Sequence, residues 1–161
     1  MQGNSPRDIM IAFEQKFIDA LQTSLEKHDK ATPGTLWQSV KAKTKVFGQS
    51  VVLEISMNDY WKFVEKGVDG TMVKHGSPFK FKASGKAIPL DAIKKFIANR
   101  GLPHKKKGLA FLIGRSIKRK GIKPTHFASD VMEGSLMKEF SRELNLAVGR
   151  EIKLTIAQNE L

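Results

Sequence analysis

The chain has no cysteine in 161 residues, which excludes disulfides and thiolate metal sites and fits a reducing compartment. No apolar run approaches the roughly 20 residues that a membrane-spanning helix requires. Met1 to Pro6 is polar and the first apolar residues are interleaved with Glu14, Lys16 and Asp19, so no secretory leader is expected. These absences describe a soluble protein used in a cytoplasm. The most informative absence is local: between Ala92 and Ser129 there is no Asp or Glu.

That same stretch holds eleven basic side chains: Lys94, Lys95, Arg100, Lys105, Lys106, Lys107, Arg115, Lys118, Arg119, Lys120 and Lys123. The whole chain carries a net charge of +12, from 28 Lys and Arg against 16 Asp and Glu. Outside this stretch the chain is therefore close to neutral. Charge concentrated in this way needs a partner or a direction in which to point. With 40% apolar and 27% charged residues, the remainder can bury a core, and we expect one domain over 1–161.

The first element is a helix over 6–27. Ser5 can cap it, Pro6 suits its first position, and Asp8 favours its positive end. Met10, Phe13, Phe17, Leu21 and Leu25 form one apolar stripe. Thr32-Pro33-Gly34 marks a turn. From Lys41 the period changes to two, with Lys41, Lys43 and Lys45 on one side and Ala42, Thr44 and Val46 on the other. After Gly48-Gln49, Val51 to Met57 completes a hairpin. Asn58 or Asp59 caps a short helix from Tyr60 to Lys66 that Gly67 stops.

The sheet region spans 41–82, and 68–86 reads as a surface loop or hairpin arm. A helical basic segment follows over 89–121. In it Ile93, Phe96 and Ile97 face inward on the first helix, and Leu109, Leu112, Ile113 and Ile117 on the second. Lys105 to Lys107 lie in the connector between them, Arg115, Lys118 and Arg119 fall off the apolar face, and Gly121 ends the run. Thr125 can cap a last helix over 126–157, in which Phe127, Val131, Leu136, Phe140, Leu144 and Val148 keep helical spacing; residues 150–158 admit either helix or strand. The fold class is α+β, with an N-terminal helix, a small antiparallel sheet and three C-terminal helices.

Chemistry is thinly supported. His28, His75, His104 and His126 are scattered, and only His126 and Asp130 share a face at i, i+4 spacing, more often a surface hydrogen bond than a site. A phosphate loop at Gly85-Lys86 lacks its first glycine and its hydroxyl, and Gly114-Arg115-Ser116 lacks the glycine of a nucleophile elbow. Glu65 sits among Tyr60, Trp61 and Phe63, yet a helix-end carboxylate pairing with a nearby Lys outweighs an acid catalyst. We expect no enzyme and no catalytic, cofactor or metal site. For the basic segment two readings stand level: phosphate backbones, bound without sequence preference, or an acidic surface on another subunit. Phe96 and Phe111 are the only aromatics between Ala92 and His126, so base stacking looks weak.

Two stretches resemble the tail-completion or minor-tail-component (neck) proteins of long-tailed bacteriophages. Tyr60-Trp61-Lys62-Phe63-Val64-Glu65-Lys66-Gly67 is similar to the family's aromatic, apolar, Glu, any residue, Gly signature, which follows a strand and precedes a variable loop. The second stretch is Ala110 to Phe127, where an amphipathic helix ends in Ser116 to Pro124 and leads through Phe127 into the last helix. The resemblance spans about residues 35 to 150. Family members more often carry an aromatic directly after the proline, where this chain has Thr125 and His126.

The resemblance implies a non-enzymatic virion protein made in the host cytoplasm. Its place would be the neck, as a homo-oligomeric ring, hexameric or larger, between head connector and tail tube, through which DNA passes. It implies fold-keeping roles for Tyr60, Phe63, Glu65, Gly67, Gly121, Pro124 and Phe127. Other neck or tail subunits are the partners it implies, with no membrane. Contacts to DNA or to an acidic partner then fall to Lys105, Lys106, Lys107, Arg115, Lys118, Arg119, Lys120 and Lys123, and 68–86 is a subunit-contacting arm that orders on assembly. The alternative is a small non-specific nucleic-acid-binding protein acting through 92–129.

Overall fold

A computed structural model describes residues 5–28, 36–48, 50–85, 88, 90–99, 101 and 108–148. The expected turn at 32–34, Lys105 to Lys107, and the segment 150–158 lie outside the described residues. The elements run α1 (Pro6–Lys27), α2 (Leu36–Ser39), β1 (Lys41–Phe47), β2 (Ser50–Ser56), α3 (Trp61–Lys66), β3 (Val68–Asp69), α4 (Leu90–Asn99), α5 (Leu109–Lys120), β4 (Gly121–Ile122), α6 (Phe127–Met132) and α7 (Ser135–Val148). Helices and small antiparallel sheets make the chain α+β. It divides into two compact units, one from 1–31, 36–58 and 127–161, the other from 32–35 and 59–126.

The first unit is built on α1. Ser5 Oγ accepts from the Asp8 N–H at 3.3 Å while the Asp8 carboxylate accepts from the Ser5 N–H at 3.2 Å, so this capping box satisfies donors that a helix start otherwise leaves orphaned. The Ser5 hydroxyl, then its amide, hold the Asp8 carboxyl below the usual carboxylate range. Phe13 and Phe17, both buried, meet the Phe140 ring at centroid distances of 5.0 and 5.3 Å. The hairpin β1–β2 pairs in register from Lys41↔Ser56 to Phe47↔Ser50. Its turn uses Gly48 at φ +59, the positive φ that a tight hairpin reversal demands.

The last helix is not continuous. Phe140 lies nine residues after Val131, which at 3.6 residues per turn places it half a turn around a straight helix. Phe127 and Val131 could then not be buried on the same side as Phe140 and Leu144. All four are buried, and α6 and α7 both pack on α1, because the chain breaks between them. There the Gly134 N–H turns back to the Val131 carbonyl at 3.2 Å, and glycine lowers the cost of leaving the helix.

The second unit contains α3, β3, α4, α5 and β4. Strand β3 pairs with β4 as Val68↔Ile122 and Asp69↔Gly121. On its other side it bonds residues 79–81, the Asp69 N–H donating to Phe79 O at 2.8 Å and the Phe81 N–H to Asp69 O at 2.9 Å. Helices α4 and α5 pack together with Ile93 and Ile97 buried. Gly114 is the buried residue of α5, and a Cβ there would fall 2.7 Å from Ile93 Cδ1. The inner face of α5 therefore centres on Gly114, with Ala110, Ile113 and Ile117 partly covered. Leu112, expected inside, is 60% exposed.

Candidate interaction surface built on capped helix ends

A helix leaves its last four carbonyls without intrahelical donors. In α5 all four are met. Gly121 N–H donates to Ile117 O; Thr71 N–H donates to Lys118 O at 3.0 Å, and the N–H groups of Met72 and Val73 donate to Arg119 O at 3.0 and 3.2 Å. The His75 ring Nε2 lies 2.8 Å from Lys120 O, a contact that needs the proton on Nε2. The segment after β3 is thus the C-terminal cap of α5. The arm expected to order only on assembly is, through Gly85, already fastened within its own unit.

Asp69 fixes the shape of that cap. Its Oδ1 accepts from the His75 N–H at 2.6 Å and the Ser77 N–H at 3.2 Å. Those two amides, His75 first, hold its carboxyl below the usual range, with desolvation opposing them and Lys74 and His75 adding a smaller favourable charge effect. Ser77 Oγ donates to Gly67 O at 2.7 Å and accepts from the Phe79 N–H at 3.1 Å. The Phe79 ring then stands edge-on to Phe63 with centroids 4.7 Å apart.

The two stretches distant in sequence, Tyr60 to Gly67 and Gly121 to His126, close on each other here. The end of α3 is capped by Thr125, whose N–H and Oγ1 donate to Val64 O at 3.1 and 2.9 Å, and by the His126 N–H, which donates to Glu65 O at 3.1 Å. Gly67, at φ +69, has no space for a side chain: a Cβ would lie 2.5 Å from Ile122 O and 2.7 Å from Pro124 N. Cβ atoms at Gly70 and Gly121 would likewise overlap the backbone across the β3–β4 junction. Glu65 is buried at this junction, while Tyr60 and Phe63 remain partly exposed. Phe127 is completely buried, but in the first unit.

The chain matches no protein-family model, no curated protein and no solved structure.

Several expected roles change. Thr125, expected at the start of the last helix, also caps the end of α3. His126 has φ +55 and precedes α6, so the expected i, i+4 helical pairing with Asp130 has no helix to sit on. The cap residue of α3 is Tyr60, not Asn58 or Asp59, and it makes no side-chain cap bond. Lys118 is not a free cation: its Nζ donates to Ala83 O at 3.1 Å and Gly85 O at 2.8 Å. Arg119 Nε lies 2.9 Å from Met72 Sδ. Arg115, Lys120 and Lys123 are exposed, and among the described residues none of the three has a carboxylate within ion-pair distance. Phe111, 56% exposed, lies one helical turn before Arg115. This mixed cationic and apolar surface was not expected, because two aromatics, Phe96 on the inward stripe and Phe111, looked too few for base stacking and Leu112 was expected in the core. The buried glycine at 114 was the signal that the inner face lay elsewhere.

Proposed function

We propose that this chain is a structural, non-enzymatic protein of the bacteriophage neck, acting through subunit contacts where head connector and tail tube join. The observation that carries the reading is the convergence of the two family-like stretches: Glu65 and Gly67 meet Ile122, Pro124, Thr125 and His126 in one backbone-bonded junction. An isolated short motif is weak support, and two that pack on one another in space support the reading better than either does alone. In this reading the virion neck is the protein's location, other neck or tail subunits and further copies in a ring are its partners, and the host cytoplasm is where it assembles. Arg115, Lys120 and Lys123 would point at passing DNA or at an acidic neighbouring ring. The test is to label the protein in purified particles: density or gold at the head–tail junction supports it, and its absence from particles rejects it.

A second reading, non-specific nucleic-acid binding, draws on the exposed Phe111 near Arg115, since an exposed ring among cations can stack on bases. Duplex and single-stranded oligonucleotides titrated at several salt concentrations test it. Binding whose affinity falls steeply with salt, and which is lost on changing Lys105, Lys106 and Lys107 to Gln, supports it. No binding at low salt dismisses it.

A further inference from the structure

The hairpin of the first unit has two edges that differ in kind. Hydrogen-bonded and non-hydrogen-bonded pairs alternate along an antiparallel ladder, and each residue's N–H and C=O point to the same side. The Thr44 N–H donates to the Glu14 carboxylate rather than to β2, so Thr44 and its partner Leu53 form a non-hydrogen-bonded pair. By the same alternation Val51, Leu53 and Ile55 turn their backbone groups away from β1. Among the described residues no hydrogen bond reaches these outward groups. The outer edge of β1 is guarded at its centre by Glu14 and flanked by Lys41, Lys43 and Lys45. Among the described residues the outer edge of β2 has no such guard; it is rich in branched residues and leaves Val52 37% exposed. A bare apolar edge strand is a template for another strand.

We propose that the β2 edge is a dimerisation surface for a second copy of this chain, pairing antiparallel about Leu53. A two-fold interface must be self-complementary, and this register is. Val51 faces the partner's Ile55 and Leu53 the partner's Leu53, so every outward N–H and C=O finds its counterpart. On the other face Val52 stands opposite the partner's Glu54 and Ser50 opposite the partner's Ser56, which keeps the two Glu54 carboxylates from facing each other. Within its own hairpin Glu54 forms an ion pair with Lys45. A head-to-tail alternative would bring β2 against the β1 edge, where Glu14 occupies the central donor. The charge pattern and the backbone pattern thus both favour β2 on β2 over β2 on β1. This proposal stands apart from the neck reading, and its failure would leave that reading intact.

The experiment is sedimentation velocity on the full chain over a wide concentration range. A monomer–dimer equilibrium is expected. Val52→Glu places a carboxylate opposite the partner's Glu54 twice per dimer, and should weaken association by about tenfold or more. Val52→Lys should keep or strengthen it. Within one hairpin the signs reverse, because Val52 pairs with Lys45, so loss of the dimer in Val52→Glu cannot be a folding defect. Because the chain has no cysteine, Ser50→Cys/Ser56→Cys should oxidise to a covalent dimer that neither single variant forms. A wild-type chain that is monomeric throughout, equal association of Val52→Glu and Val52→Lys, or failure of the double-cysteine variant to cross-link would each overturn the proposal.

Discussion

Gly67→Ala tests the junction at its tightest point, and Gly76→Ala supplies the matched control. The two glycines have nearly equal positive φ, +69 and +73, but only Gly67 of the two has neighbours within reach of a Cβ, the three nearest belonging to Ile122 and Pro124. With ψ at −172, Gly67 also sits in a region that side chains scarcely enter, costing about 1–3 kcal/mol. Forcing the strand–turn backbone apart adds about 1–3 kcal/mol. The sum, about 2–6 kcal/mol, is a large part of a typical domain's stability of about 5–15 kcal/mol. Gly76→Ala carries only the strain of positive φ, about 1–2 kcal/mol. Urea unfolding followed by Trp61 fluorescence, in a Trp37→Phe background, reads the second unit. At a slope of about 1–1.5 kcal/mol per molar urea, Gly67→Ala should lower the midpoint by roughly 1–6 M or abolish the transition. The reasoning fails if Gly67→Ala is no more damaging than Gly76→Ala.

Three further outcomes follow from the same structure. The two backbone amides lower the folded-state pKa of Asp69, so its stabilisation is full above the ordinary carboxylate range and is lost as pH falls through the lowered folded value. Acid titration of Trp61 fluorescence should therefore show a flatter acid limb in Asp69→Asn, and an unchanged limb would contradict the assignment. Phe140→Ala empties the centre of the Phe13, Phe17 and Phe140 cluster and should cost the first unit about 3–5 kcal/mol, measured by urea unfolding with Trp37 as the probe; a loss below about 1 kcal/mol would remove Phe140 from the core. Lys118→Met keeps the aliphatic stem but removes both donors to Ala83 and Gly85. Amide exchange around residues 82–85 should accelerate while α5 stays protected, and unchanged exchange would show that Lys118 does not hold that segment.

Local signals predicted much of the fold. Ser5 and Pro6 mark the start of α1, the alternation from Lys41 marks the hairpin, and Gly121 ends α5, because caps, periods and stops act over a few residues. The break at Gly134 was also encoded, in the nine-residue step from Val131 to Phe140, but treating every hydrophobe after Phe127 as one stripe concealed it. The candidate site was less legible. Thr71, Met72, Val73 and His75 cap a helix more than forty residues further along the chain, and unpaired carbonyls do not name their donors in sequence. Lys118 looked like surface charge because a lysine bonding carbonyls and a solvated lysine look alike in a pattern. Glu65 and Gly67 were visible as a motif, but their meeting with Pro124 and Thr125 depends on the fold.

The most direct test of the central claim is to image particles from a phage whose genome carries this gene, with the gene deleted and then restored in trans. A neck role predicts separate filled heads and tails, few joined particles and lost infectivity, with joining recovered by the intact chain and not by Gly67→Ala. Joined, infectious particles in the deletion would contradict it.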